Sequence, residues 1–257
     1  MCELFAFSGK RAVQLNTYLR EFTSHSLQHP DGWGLAVFYN DAVNLEKEPI
    51  SAANSVYLRE RLRHKIVAQN MVGHIRLASR GSLSYENSHP FVQNDDSKRT
   101  WTLIHNGTIF DSQILDAYKT VQEGQTDSER ILCYIVDCMN QLMKTLKHKP
   151  NSEERFLLLD KIVQEIAPHN KLNLIIYDGE LFYVHTNTRG TLYMKEIDEG
   201  IIFATVPLDK EEWKPVPFMQ LLAFKNGEIC KRGTKHTGEY VSNPDERVIQ
   251  SRDFSCL

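Results

Sequence analysis

Cys2-Glu3-Leu4-Phe5-Ala6-Phe7 decides how the rest of the chain is read. Its apolar, aromatic run predicts a buried strand starting at the second residue. On the plain view, Cys2 is one more apolar side chain of that strand. On the chemical view, removal of Met1 places a thiol and a free α-amine on one residue. A thiolate is an attacking species, and an N-terminal amine can act as base to an adjacent nucleophile. The reference pKa of that amine, roughly 7.7–8.0, suits a general base near neutral pH. A strand also holds such a group more rigidly than a loop does.

Outward from Cys2, hydrophobic spacing predicts a helix over Ala12–Phe22, then strands over Leu35–Tyr39 and Val43–Glu46 joined by an Asn40-Asp41 turn. Ser55–His64 reads as helix, and Ile66–Arg76 and Thr100–Ile104 as strands ending in polar residues. Asp127–Lys147 has the strongest helical pattern, with Thr126 or Asp127 placed to cap it. Ser152–Ile166 is a second helix between Pro150 and Pro168, with Cys133 and Cys138 on the core face of the first. Strands follow over Leu172–Tyr177, Leu181–His185, Ile201–Thr205 and Met219–Phe224, with Asp178-Gly179 as a hairpin turn. Strands, two central helices, then strands indicate α+β, with helices covering stacked sheets. Residues 1–232 form one domain, and 233–257 a loosely ordered polar tail.

The chain has 257 residues, 41% hydrophobic and 25% charged, enough for one large core. A net charge of −3 gives no electrostatic case for nucleic acid. The apolar runs are too short to span a bilayer, and no leader pattern precedes the first strand. Five cysteines at irregular spacing do not form a disulfide framework and favour a cytoplasmic location.

Four polar, glycine-bearing clusters terminate these strands: His29-Pro30-Asp31-Gly32-Trp33-Gly34; Gly73 to Gly81, containing His74, Arg76, Ser79 and Arg80; Asn87-Ser88-His89-Pro90-Phe91; and His105-Asn106-Gly107, followed by Thr126-Asp127-Ser128-Glu129. Polar strand ends are where sites gather. Asn106-Gly107 alone reads as a hairpin turn. Behind an apolar strand, its amide and the next backbone N–H also fit an oxyanion hole. Arg76 between Ile75 and Leu77 is either a solvated charge or a clamp for a carboxylate. Asp127 alone reads as a helix cap. His29, His74, His89 and His105 together suggest zinc, but no compact ligand spacing supports a metal, and no metal or cofactor is expected.

In this order, with the cysteine at position 2, these motifs resemble the class II glutamine amidotransferases, in particular their small stand-alone YafJ-like branch. The likeness runs from Cys2 to about residue 135 and continues weakly through Phe203–Leu208 to Trp213. It implies an N-terminal-nucleophile hydrolase fold, a four-layer αββα sandwich of two stacked antiparallel sheets flanked by helices. It also implies roles: Cys2 as nucleophile with its α-amine as base, Asn106 and Gly107 as oxyanion hole, and Arg76 and Asp127 as holders of the α-carboxylate and α-ammonium of a glutamyl group. Ser79, Arg80 and His105 join the substrate pocket, and His29, Asp31, Gly32, Trp33, His74, Asn87 and His89 shape its loops. Where the amidotransferase domains of sugar-phosphate synthases carry an aromatic residue after the arginine and a histidine a few positions on, this chain has Leu77 and Arg80. Arg80 is thereby placed to read a group beyond the γ-amide, such as a peptide carboxylate.

Nothing after residue 135 resembles an acceptor domain. The expected activity is hydrolysis of the γ-carboxamide of glutamine or a small γ-glutamyl compound through a thioester on Cys2. The alternatives are a glutaminase subunit passing ammonia to a separate acceptor enzyme and a non-catalytic module on the same fold.

Overall fold

A computed structural model describes residues 2–39, 42–79 and 81–241. The elements in chain order are β1 (Glu3–Gln14), α1 (Asn16–Ser24), β2 (Trp33–Tyr39), β3 (Ala42–Glu48), α2 (Val56–Arg61), β4 (Val67–Ile75), β5 (Phe91–Asn94) and β6 (Thr100–Thr108). Then come α3 (Gln113–Asp116), α4 (Asp127–Leu146), α5 (Ser152–Ile166), β7 (Lys171–Tyr177), β8 (Phe182–His185), β9 (Tyr193–Ile197), β10 (Gly200–Ala204), β11 (Lys214–Pro215), β12 (Leu222–Lys225) and β13 (Glu228–Arg232).

Alternation along β1 separates two cores, because successive strand residues face opposite sides. Phe5 and Phe7 pack outward on Leu19 and Phe22 of α1 and Leu58 of α2. Leu4 and Ala6 face inward against Ile104, Ile175 and Val184. These belong to a second sheet, whose outer residues Leu103, Leu174 and Ile176 pack on Ile131 and Ile135 of α4 and Leu159 and Ile162 of α5. The result is helix, sheet, sheet, helix, as the resemblance implies. One sheet has the order β11-β9-β10-β1-β4-β2-β3, the other β13-β12-β8-β7-β6-β5. The strand pairings are antiparallel. Each fully buried Phe or Leu contributes about 1.5–3 kcal/mol relative to exposure, so both faces of β1 are strongly held.

The two long helices start as their sequences dictate. Thr126 accepts from the Glu129 N–H at the head of α4, and Asn151 with Glu154 forms a reciprocal capping box on α5. Cys138 is partly buried against the core of α4 and α5, and Cys133 is buried.

Several expectations need correction. The first helix begins at Asn16, not Ala12, because β1 continues to Gln14: after an irregularity following Ser8, Val13 and Gln14 find partners in Ala68 and Val67. The strand expected to stop at Ile104 runs to Thr108, since β7 pairs it residue for residue. Asn106-Gly107 is therefore strand, not turn. The short strands β5, β9, β11 and β13 had no clear alternation to announce them. Residues 233–241 are not loose but follow the body of the protein through the Gly233 N–H to Leu221 O (2.8 Å), His236 N–H to Met219 O (3.0 Å) and Tyr240 N–H to Asn187 O (2.9 Å). The Asn40-Asp41 turn, Arg80, Met1 and residues 242–257 lie outside the described residues.

Candidate active site

Three strand ends of the first sheet meet at Cys2. The pairings Glu3–Ile75 and Trp33–Ile75 bring the start of β1, the start of β2 and the end of β4 side by side. The ladder continues past them: Arg76 N–H donates to Gly32 O at 2.8 Å and Asp31 N–H to Arg76 O at 3.1 Å. Asp31 also accepts from the Ala78 N–H at 2.7 Å, which fixes the turn carrying Leu77. Leu77 then grips the Cys2 thiol with its backbone, its N–H and its carbonyl each 3.4 Å from Sγ. Burial pushes the Cys2 thiol up, while the Leu77 hydrogen bond and the Arg76 guanidinium pull it down. Gly32 sits at φ +149°, and a Cβ there would lie 3.3 Å from both Glu48 O and Ser88 Oγ. Glycine is required at that corner.

The second sheet supplies β6. Asn106 shares the inward face of Ile104, and β1 and β4 lie across from β6. Asn106 is 2% exposed, yet among the described residues its Nδ2 has no hydrogen-bond partner. A buried unpartnered donor is costly, and such a donor at a strand end fits an oxyanion that forms only during reaction. Gly107 follows where no side chain is tolerated, since a Cβ would lie 2.0 Å from Lys171 O.

His105 faces the opposite way, toward α4. Its Nε2 meets Lys171 O at 3.1 Å and its Nδ1 meets the Ser128 hydroxyl at 2.9 Å. A carbonyl only accepts, so Nε2 carries the proton and Nδ1 accepts from Ser128. Burial holds this ring neutral by lowering its pKa, with Asp127 opposing. The structure thus makes His105 a support for the head of α4. Asp127, first residue of that helix, is buried and accepts from the Ile109 N–H (2.7 Å) and the Ser128 N–H (2.9 Å).

The loops close the surround. The Arg76 guanidinium is buried and donates to Ser82 O and Gly81 O, each at 3.1 Å. Asn87 ties this loop to the one before α4: its Oδ1 accepts from the Gln125 N–H at 2.7 Å and its Nδ2 donates to Ser82 O at 3.1 Å. Burial holds His74 neutral, down to about 3, and lowers His89 well below its usual value. Their rings stack at 4.0 Å, and their ring nitrogens make no hydrogen bond of good geometry, though His74 lies beside the His105 backbone. Trp33 donates from Nε1 to Glu48 at 3.0 Å and stacks on Tyr57, on the helix side. His29 bonds His25 O at 2.9 Å and lies 3.8 Å from Glu3, also on the helix side. Ser79 is exposed.

Cys2, Asp31, Gly32, His74, Arg76, Asn87, His89, Asn106 and Gly107 therefore lie on strand ends and loops, with Asp127 at the head of α4. His29, Trp33 and His105 face the helical layers. The four histidines do not converge, and among the described residues no group of three potential ligands is placed to hold a metal. Gln125, which the sequence did not single out, also joins these loops, Ser128 braces His105, and Leu77, noted in the sequence for its side chain, reaches Cys2 through backbone alone. Among the described residues no helix is long and apolar enough to cross a membrane.

A family model described as class II glutamine amidotransferases matches residues 1–197. An uncharacterised protein of Methanocaldococcus jannaschii is 32% identical over 89% of this chain and 70% of its own length. The YafJ protein of Escherichia coli is 27% identical over 73% of this chain and 74% of its own. A crystal structure described as a predicted glutamine amidotransferase from Pseudomonas aeruginosa superposes with a TM-score of 0.57 at 20% identity, covering 90% of this chain and 95% of that one.

Proposed function

The chain belongs to the class II glutamine amidotransferases, and from that premise we propose that it hydrolyses the γ-carboxamide of glutamine or of a small γ-glutamyl compound through Cys2. The observation that carries this reading is the pairing of a backbone-gripped thiol with the buried, unpartnered Nδ2 of Asn106. With Met1 removed, the α-amine of Cys2 takes the thiol proton and sulfur attacks the γ-carbon. The C–S bond forms as the carbonyl electrons move to oxygen, which Asn106 Nδ2 and the Gly107 N–H stabilise. The electrons then return, the C–N bond breaks, and the α-ammonium gives its proton to the departing nitrogen. Water adds to the γ-glutamyl thioester in the same way, freeing glutamate and restoring the thiol.

Arg76 and Asp127 would hold the α-carboxylate and α-ammonium. They lie near enough to act electrostatically on the Cys2 thiol, in opposite directions. Arg80 and Ser79 would meet the leaving group. Four free cysteines among the described residues suit a reducing, cytoplasmic setting. Exposed Leu83, Tyr85 and Val121, on the two loops joined by Asn87, favour a second reading in which an acceptor enzyme docks there and receives the ammonia.

The test is glutamate release from glutamine and a panel of γ-glutamyl peptides, by untagged protein of verified N-terminus, beside Cys2→Ala. Release lost in a folded Cys2→Ala protein supports the reading. Equal release by that variant refutes it.

A further inference from the structure

Beyond the Thr108–Lys171 pair the ladder between β6 and β7 stops. The next three backbone N–H groups are taken by side chains. Ile109 donates to Asp127 (2.7 Å), and Phe110 and Asp111 both donate to Asn170 Oδ1 (2.7 and 3.0 Å). Asn170 is buried and donates back to Asp111 O and Ile166 O, each at 2.8 Å. Its own carbonyl accepts from Asn187 Nδ2 at 2.8 Å, and the same Nδ2 reaches Gly238 O at 2.8 Å. Tyr240 returns its N–H to Asn187 O and stacks its ring on Phe110, centroids 5.5 Å apart and planes 9° off parallel. The 233–241 strap thus reaches the loop that orients Asp127.

The strap is latched by a histidine pair. His185 Nδ1 bonds Leu172 O at 2.8 Å, so that nitrogen carries the proton and Nε2 is bare. His236 Nδ1 accepts from the Gly238 N–H at 3.0 Å, so its proton sits on Nε2. The two Nε2 atoms are 2.9 Å apart, and the only consistent assignment has His236 donating to His185. Thr234 N–H on the Asp160 carboxylate, at 3.0–3.1 Å, anchors the strap on the other side of the latch.

We propose that His236 and Tyr240 are positioning residues for the glutamyl-binding end of the site, holding the Ile109–Asp111 loop and through it the Asp127 carboxylate. This rests on reading Asp127 as the ligand of the substrate ammonium. Neither residue touches the substrate. Their effect falls on substrate affinity and loop order, while the thiol and the oxyanion donors stay in place.

The experiment measures two things on the full chain: glutamine kinetics and deuterium uptake of the peptide spanning 109–111. His236→Ala and Tyr240→Ala should each raise uptake there and raise KM about tenfold, with kcat within about twofold of the parent. His236→Gln, which keeps an N–H near the same place, should restore both. Unchanged uptake in folded variants, or a fall in kcat at constant KM, would overturn the inference. If the parent chain releases no glutamate from any γ-glutamyl compound, the reading of the site fails. The uptake arm then decides alone whether the strap orders the loop.

Discussion

Asn106 and His105 are neighbours on β6 and live under opposite rules. Behind the strand, His105, His185 and His236 have every ring nitrogen in a hydrogen bond. In front of it, Asn106 Nδ2 and the ring nitrogens of His74 and His89 are buried without a partner of good geometry. Native proteins rarely tolerate such orphans. Five other buried polar atoms, among them Arg130 Nε on α4, also lack a partner among the described residues, but only in front of β6 do three such side chains, Asn106, His74 and His89, adjoin the Cys2 strand ends.

The comparison is broken most severely at Cys2, the proposed nucleophile. Cys2→Ala should cut glutamate release by more than about 10³-fold while leaving the unfolding temperature nearly unchanged, as paired assays and thermal melts would reveal. Asn106→Ala is the front-side test: kcat should fall by about 10²–10³-fold with little loss of stability, because no hydrogen bond to Nδ2 is lost. A stable variant with full kcat would remove Asn106 from the oxyanion hole. Its rear-side counterpart is His105→Phe. This strips Lys171 O and the Ser128 hydroxyl of their partner and should destabilise the fold by about 1–3 kcal/mol in denaturant titrations.

Near neutral pH the smallest effect is at His74, whose contribution emerges only in acid. His74 is held neutral by burial down to about 3, against 6.5 for an unperturbed ring. Between those values the unfolded chain binds a proton that the folded chain refuses. Stability is therefore intact above pH 6.5 and is lost as the solution is acidified toward 3. His74→Phe should leave stability near pH 7 almost unchanged and flatten this acid limb by up to about 1.4 kcal/mol per pH unit. An unaltered limb in pH-dependent unfolding would mean that His74 titrates normally.

Much of this was legible before any coordinates. The αββα layering followed from strand runs around two periodic helices and from ordered motifs. Cys2 stood out by its place behind Met1, Arg76 and Asn106 as polar residues at the ends of apolar strands, and Asp127 through the ordered motifs. What the sequence hid depends on partners far along the chain. Asn106-Gly107 carries turn chemistry, and only the pairing with Asn173 and Leu172 keeps it extended. His105 sits among site residues in sequence, yet strand alternation turns it toward Ser128. The strap was read as loose because it is polar, but its polar groups are spent on Asp160, His185 and Asn187.

The grip of Leu77 on the Cys2 sulfur is made wholly by main chain. Of the substitutions at position 77 only proline deletes its N–H, so other side chains there can drift while the sulfur stays anchored. Evolution is thereby handed a dial beside the reactive atom that turns without disturbing it. On the proposed function, a directed library aimed at new γ-glutamyl amides should begin there.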